Sequence, residues 1–141
     1  LEDCIFCKIL KEEAPASFVF RGDRVSAFMD LNPINKGHVL VVPNEHHKRF
    51  SSIDNETVGE MFKTAQVILK SIESSRIPCE GANLFVSDGE VAGQEPPHTH
   101  LHIAPRFKGD GYRMGFSGTA ADESPRNKLD ETARLIVANL S

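Results

Sequence analysis

The chain has 141 residues, of which 40% are hydrophobic and 26% charged, the balance of an ordinary globular domain. Its net charge of −4 at pH 7 argues against a binder of polymeric nucleic acid, which needs a basic face. No apolar run approaches the roughly 18 residues of a membrane span, so no membrane partner is expected. One domain over residues 1–141 with its own core is predicted.

The opening LEDCIFCKIL has no basic segment followed by a long apolar stretch and a small-residue cleavage site, so no secretory signal is read. Two of the three cysteines form a C-x-x-C pair, Cys4 and Cys7. Without a secretory signal that spacing points to metal or redox chemistry rather than a disulfide framework. A cytoplasmic address is expected, with nucleus and organelle left open. CIFCKILKEE predicts a short helix stopped at Pro15. SFVFRGDRVSAFMDL predicts two strands about a Gly22-Asp23 turn, with Val19, Val25, Ala27 and Met29 alternating with more polar positions. GHVLVVP (37–43), continuous, apolar and β-branched, predicts a buried central strand.

Residues 54–75 form the clearest helix, capped by Asp54, with Val58, Met61, Phe62, Ala65, Leu69 and Ile72 on its core face. After a turn at Pro78 and Gly81, NLFVSDG reads as a strand ending at Ser87-Asp88-Gly89. HTHLHIAPR (98–106) reads as the last strand, Pro105 marking an end or an edge. A Gly-rich loop over about 108–119 then leads to a helix over about 124–140, with Leu129, Ala133, Ile136, Val137 and Leu140 on one face. The order β-β-β-α-β-β-α lacks βαβ alternation and predicts an α+β fold with an antiparallel sheet, its core over about 4–107.

Three of the six histidines stand in phase: His98, His100 and His102. On a strand they would line one face, roughly 6.6 Å apart. Crowded imidazoles need partners at both ring nitrogens, which disfavours a purely structural row. One alternative is a closed Cys2His2 zinc site, made from Cys4, Cys7, one histidine of the row and one of His46 and His47. A redox pair is disfavoured because no thioredoxin-like βαβ unit follows the C-x-x-C. The other alternative is nucleophilic catalysis. Neighbouring positive charge disfavours the imidazolium and keeps a central imidazole neutral at pH 7, while flanking rings donate hydrogen bonds to a phosphoryl oxygen.

CIFCKI, FMDLNPINKGHVLVVPNEH and SDGEVAGQEPPHTHLHIAPR, in that order, resemble the landmarks of the histidine-triad (HIT) superfamily of nucleotide hydrolases and transferases, and within it the zinc-bearing Hint branch. The resemblance implies the HIT fold: an antiparallel sheet, a long central helix and a C-terminal helix. It implies His100 as the nucleophile at an α-phosphorus, His102 as the group that holds and polarises the phosphate, and His38 of KGH as the residue that orients the nucleophile. Asp30 would accept from the ribose hydroxyls, and Phe6, Ile9, Phe28 and Leu31 would wall the base pocket. Ser87, Gly93 and Gln94 fall near the phosphate. Structural Zn²⁺ would be held by Cys4, Cys7, His46 and His98, with no catalytic cofactor.

The implied reaction takes a purine nucleotide conjugate, such as adenosine phosphoramidate, through a nucleotidyl-histidine intermediate to AMP, or GMP from guanosine analogues. A homodimer sharing a sheet is also implied. Three positions depart from the family's pattern: Thr99 mildly, in place of a hydrophobic residue, Ser87 in place of an asparagine, and Glu95 in place of a serine or threonine, where a carboxylate leaves the preferred substrate open. The C-terminal helix, in place of a short tail, leaves the leaving group open. A dinucleoside polyphosphate hydrolase and a nucleotide-binding scaffold are the alternatives. The complete set of His38, His100 and His102 argues against the second.

Overall fold

A computed structural model describes residues 3–113 and 124–140; positions 114–119 of the expected Gly-rich loop lie outside them. In chain order the elements are α1 (Ile5–Leu10), β1 (Phe18–Arg21), β2 (Val25–Met29), β3 (Val39–Pro43), α2 (Asn55–Glu73), β4 (Gly81–Phe85), β5 (Leu101–Arg106) and α3 (Arg126–Val137). The strands form one sheet in the order β1-β2-β3-β5-β4, with antiparallel neighbours throughout. This is the expected α+β architecture.

The sheet is covered on both faces. Val25, Ala27, Val39, Val41, Leu101 and Ile103 point to α2 and meet Met61, Ala65, Ile68 and Ile72. Phe28, Leu40 and Val42 point the other way, onto Cys4, Phe6, Cys7 and Ile9 of the α1 region. Successive side chains on a strand alternate faces, so a strand covered on both sides reads as an unbroken apolar run. That is why β3 is buried at every position, and why β2 is buried from Val25 to Phe28 rather than alternating in and out.

Several local expectations shift. The first helix ends at Leu10, capped by Lys11 and followed by Glu12 at φ 64°, well before Pro15. Val19 is exposed, because the β1–β2 register slips between Phe18 and Phe20 and leaves it the extra residue of a bulge. Asp54 caps α2 as expected, accepting from the Thr57 N–H at 3.0 Å. The buried stripe of α2, however, runs through Thr57, Met61, Thr64, Ala65, Ile68 and Ile72. Val58 and Leu69 lie at its margin, and Phe62 turns outward beside Phe50 and Leu84.

The largest shift is at the histidine row. β5 begins at Leu101, so His98, Thr99 and His100 precede the ladder. Thr99 N–H donates to the His47 carbonyl at 2.7 Å, and the ring of His98 bonds the Pro43 carbonyl at 2.9 Å. The segment is thus tied to the connection after β3 rather than to a strand. Pro105 does lie towards an end, past the last β3–β5 pair at Val39 and Ile103. Gly37, at φ 93° with Ile77 Cγ2 2.9 Å from where a Cβ would stand, makes the turn that delivers His38 into β3. α3 buries none of its own residues.

Met61 is fully buried between α2 and the sheet. Met61→Ala should lower the unfolding free energy by about 2–5 kcal/mol, measured by urea denaturation with an unchanged m-value.

A histidine array beside a thiol–imidazole cluster

The triad is wired through fixed ring nitrogens. The Ile34 N–H, which can only donate, points at His38 Nδ1 at 3.0 Å, so that nitrogen is the acceptor and Nε2 carries the proton. His38 Nε2 then donates to His102 Nδ1 at 2.9 Å, with Asp30 Oδ2 at 3.4 Å from the same nitrogen. His102 is left with its proton on Nε2. His100 Nδ1 donates to the His98 carbonyl at 2.7 Å, which leaves a lone pair on His100 Nε2. One hydrogen bond at each ring selects the free nitrogen. His38 and His100 are buried, and His102 is half-buried.

The first histidine of the row belongs to a different cluster. His98 Nδ1 lies 3.4 Å from Cys4 Sγ and 3.6 Å from Cys7 Sγ, and His46 Nδ1 lies 3.3 Å from Cys7 Sγ. All four donor atoms are within 4.8 Å of one another. Ligands on a tetrahedral zinc stand about 3.6 Å apart for Zn–S and Zn–N bonds of about 2.3 and 2.1 Å, so the donor set and its spacing fit that ion. His98 Nε2–H is held by the Pro43 carbonyl, which turns Nδ1 inward, as an outer hydrogen bond does for a metal-bound histidine. His47 faces away, its Nδ1 3.1 Å from Ser52 Oγ. Asp30, His38 and His102 also gather within ligand distance. There, Ile34 N–H occupies the nitrogen that would have to carry the proton if His38 Nε2 bound a cation, so this group is built for hydrogen bonding.

The histidine array, together with His46 and His98 of the second cluster, lies within a HIT domain match over residues 11–109, and Cys4 and Cys7 precede it. The chain belongs to the HIT family. It is 42% identical over 133 residues to an uncharacterized HIT-like protein of Methanocaldococcus jannaschii, covering 94% of this chain and 98% of that one. It is 30% identical over 141 residues to the adenosine 5'-monophosphoramidase of Candida albicans, covering 97% and 93%. The crystal structure of a zinc-bound histidine triad family protein from Mycobacterium smegmatis superposes with a TM-score of 0.74 at 28% identity, covering 98% and 99%. In this HIT protein the array is a histidine-triad active site of the hydrolase type.

The other expected residues are spread more widely. Phe6, Ile9 and Phe28 are buried in the core on the triad's side of the sheet, and Phe6 meets the rings of His98 and His100 edge-on at 5.8 and 5.2 Å. Leu31 is 91% exposed. Gln94 is buried with both ends of its amide engaged. Its Nε2 donates to the Lys48 carbonyl at 2.8 Å and its Oε1 accepts from Gly89 N–H at 2.7 Å. Gly93, at φ 88°, closes the short turn Glu90–Ala92, and Ser87 is half-buried after β4. Glu95 is exposed. Thr99 is 1% exposed, and its Oγ1 is the buried side-chain polar atom left without a partner among the described residues.

Two features of the HIT site are invisible in the motif. One is the Ile34 N–H, a backbone donor that any residue but proline carries. The other is Phe85 at the end of β4, whose ring stacks on His102 with centroids 4.1 Å apart and planes 6° from parallel. Only the strand pairing of Phe85 with His102 brings them together.

Burial sets the charge state. It pushes His102 down to about 3, with His100 and His38 adding to the shift, and His98 down to about 4 against the pull of the Pro43 carbonyl. His100 and His38 are lowered by burial too, opposed in part by Asp30. All four rings are therefore neutral in the fold at pH 7. Below the ordinary value of 6.5 the unfolded chain takes up protons that the folded one refuses. Stability should be complete above about pH 6.5 and fall steadily as the pH drops towards 4. Urea midpoints between pH 8 and 4 check this; a flat profile would contradict it.

Proposed function

We propose that the protein is a Hint-like phosphoramidase, a hydrolase that cleaves purine nucleotide conjugates at the α-phosphorus. Adenosine phosphoramidate is the favoured substrate, giving AMP and an amine, with guanosine analogues also accepted. The observation that carries this reading is the pairing of opposite tautomers. His100 offers a bare Nε2, and His102 beside it, with ring centroids 4.8 Å apart, offers an Nε2–H. A neutral nucleophile next to a donor is the equipment of phosphoryl transfer, where positioning and charge stabilisation do most of the catalysis. The Candida albicans relative named as a monophosphoramidase supports the choice of substrate.

His100 Nε2 attacks the α-phosphorus in line with the leaving amine. The P–Nε2 bond forms, the P–N bond to the amine breaks with its electron pair on nitrogen, and the leaving amine takes a proton from a solvent water. His102 Nε2–H holds a non-bridging oxygen as its charge grows. The His98 carbonyl, accepting from Nδ1–H, favours the positive ring of the nucleotidyl-histidine. Water then attacks phosphorus from the vacated side, forming the P–O bond and releasing one proton to solvent, which balances the one taken up by the amine. The P–Nε2 bond breaks, and AMP leaves with His100 neutral again. Asp30 accepts from the ribose hydroxyls with the oxygen not committed to Asn32 N–H. Phe6, Ile9 and Phe28 floor the base site, with Leu31 at its mouth, and Ser87 and the turn at Gly93 and Gln94 border the phosphate.

Cys4, Cys7, His46 and His98 hold a structural zinc, which anchors α1; none of the steps above needs a further cofactor. A homodimer through the open edge of β4, where Leu84 and Phe62 are exposed, and a cytoplasmic address that keeps the thiols reduced complete the reading.

The deciding experiment compares turnover of adenosine phosphoramidate with that of diadenosine tetraphosphate, EDTA being added at the start. Faster cleavage of the phosphoramidate is expected. Preference for the dinucleotide would make the protein a polyphosphate hydrolase, and turnover of neither would leave a nucleotide-binding module. His100→Ala should cut the rate by at least about 10³-fold while AMP still binds. Metal analysis should find one zinc per chain, lost in Cys4→Ala together with several degrees of thermal midpoint; metal-free protein of full stability would remove the zinc assignment.

A further inference from the structure

His102 is braced from a side that the triad motif does not contain. Phe85 ends β4 and is the direct cross-strand partner of His102 on β5, so both side chains stand on the same face of the sheet. Their rings lie face to face at 4.1 Å and 6°. The other aromatic contacts described are edge-on or tilted, with centroids 4.8 Å or more apart. Phe85 belongs to neither of the two apolar clusters that make the core. It is half-buried at the margin of the sheet, and core packing does not account for its stacked pose.

The contacts around His102 define one free direction. Phe85 covers one face of the ring, and the hydrogen bond from His38 Nε2 fixes Nδ1 at 2.9 Å. With a face and an edge held, the remaining polar edge, Nε2–H, has a single direction. An aromatic face also carries partial negative charge. It therefore favours a ring that grows more positive as it donates to an oxygen gaining charge. Both effects act on the transition state more than on the bound substrate.

We propose that Phe85 is a positioning residue for His102, holding its Nε2–H on the phosphate and so raising kcat rather than tightening substrate binding. This rests on the reading of His102 as the phosphate-holding group. A leucine at position 85 would keep apolar bulk but lose the flat face, whereas tyrosine or tryptophan would keep it.

The test is a double-mutant cycle on adenosine phosphoramidate turnover with Phe85→Leu, Phe85→Tyr, His102→Ala and the Phe85→Leu/His102→Ala double variant. Phe85→Leu should lower kcat about 3- to 30-fold, the range of a cation–π contact, with KM changed less than about twofold. Phe85→Tyr should restore most of the loss. In the His102→Ala background Phe85→Leu should change nothing more. Wild-type kcat in Phe85→Leu, or an equal loss with and without His102, would overturn the bracing role while leaving the function reading intact. Full turnover in His102→Ala would remove both. One measurement needs no variant: ring protons of His102 in the wild-type protein should be shifted upfield by the stacked phenyl in NMR spectra, and unshifted protons would also overturn the proposal.

Discussion

The hydrogen bond from His100 Nδ1 to the His98 carbonyl, 2.7 Å long, is the contact on which the rest of the site depends. His98 faces three ways at once. Its Nδ1 turns to the two thiols, its Nε2–H is held by Pro43, and its carbonyl orients the neighbouring histidine. Whatever anchors the thiol cluster therefore also fixes the ring proposed as the nucleophile. Phe6 adds a second link, since it lies between Cys4 and Cys7 in the chain and packs edge-on against both rings. The gathering of the thiol–imidazole cluster and the orientation of the His100 ring are one structural problem here, with one residue at its centre.

The sheet makes this possible by separating two tasks. Its α2 face carries most of the apolar core, so the opposite face can tolerate the polar array. That array is buried and neutral, a condition that costs stability at low pH but leaves a lone pair available at neutral pH. The constraint also explains the departure from a regular strand at residues 98–100. A ladder there would occupy the backbone carbonyl that His100 requires and would draw His98 away from the cluster. Irregular backbone at this point is what the chemistry uses. The hydroxyl of Thr99, buried without a partner among the described residues, shows that this segment is held by its neighbours rather than by its own side-chain preferences.

Much was legible beforehand because it depends on local pattern. The unbroken run of β3, the Asp54 cap and the order of elements each follow from residue type and period, and each is found in the structure. The grouping of Cys4, Cys7, His46 and His98 was legible through the family resemblance, since no local rule brings residues 4 and 98 together. The outward turn of Phe62 and the bulge at Val19 were not legible. Both depend on how wide the sheet is at that point and on how neighbouring strands slip, quantities set by the partner and not by the segment.

By itself, then, the sequence determined which side chains are available and on what period: three histidines in phase, a thiol pair at one helix start, and a central strand whose unbroken apolar run demands cover on both faces. Only the tertiary structure decided what each ring nitrogen does. That assignment rests on single hydrogen bonds from Ile34 N–H and to the carbonyls of Pro43 and His98, and on the flat face of Phe85 over His102. Backbone groups are the same in every residue and carry no signature in the sequence. Their placement exists only once strands distant in the chain have paired.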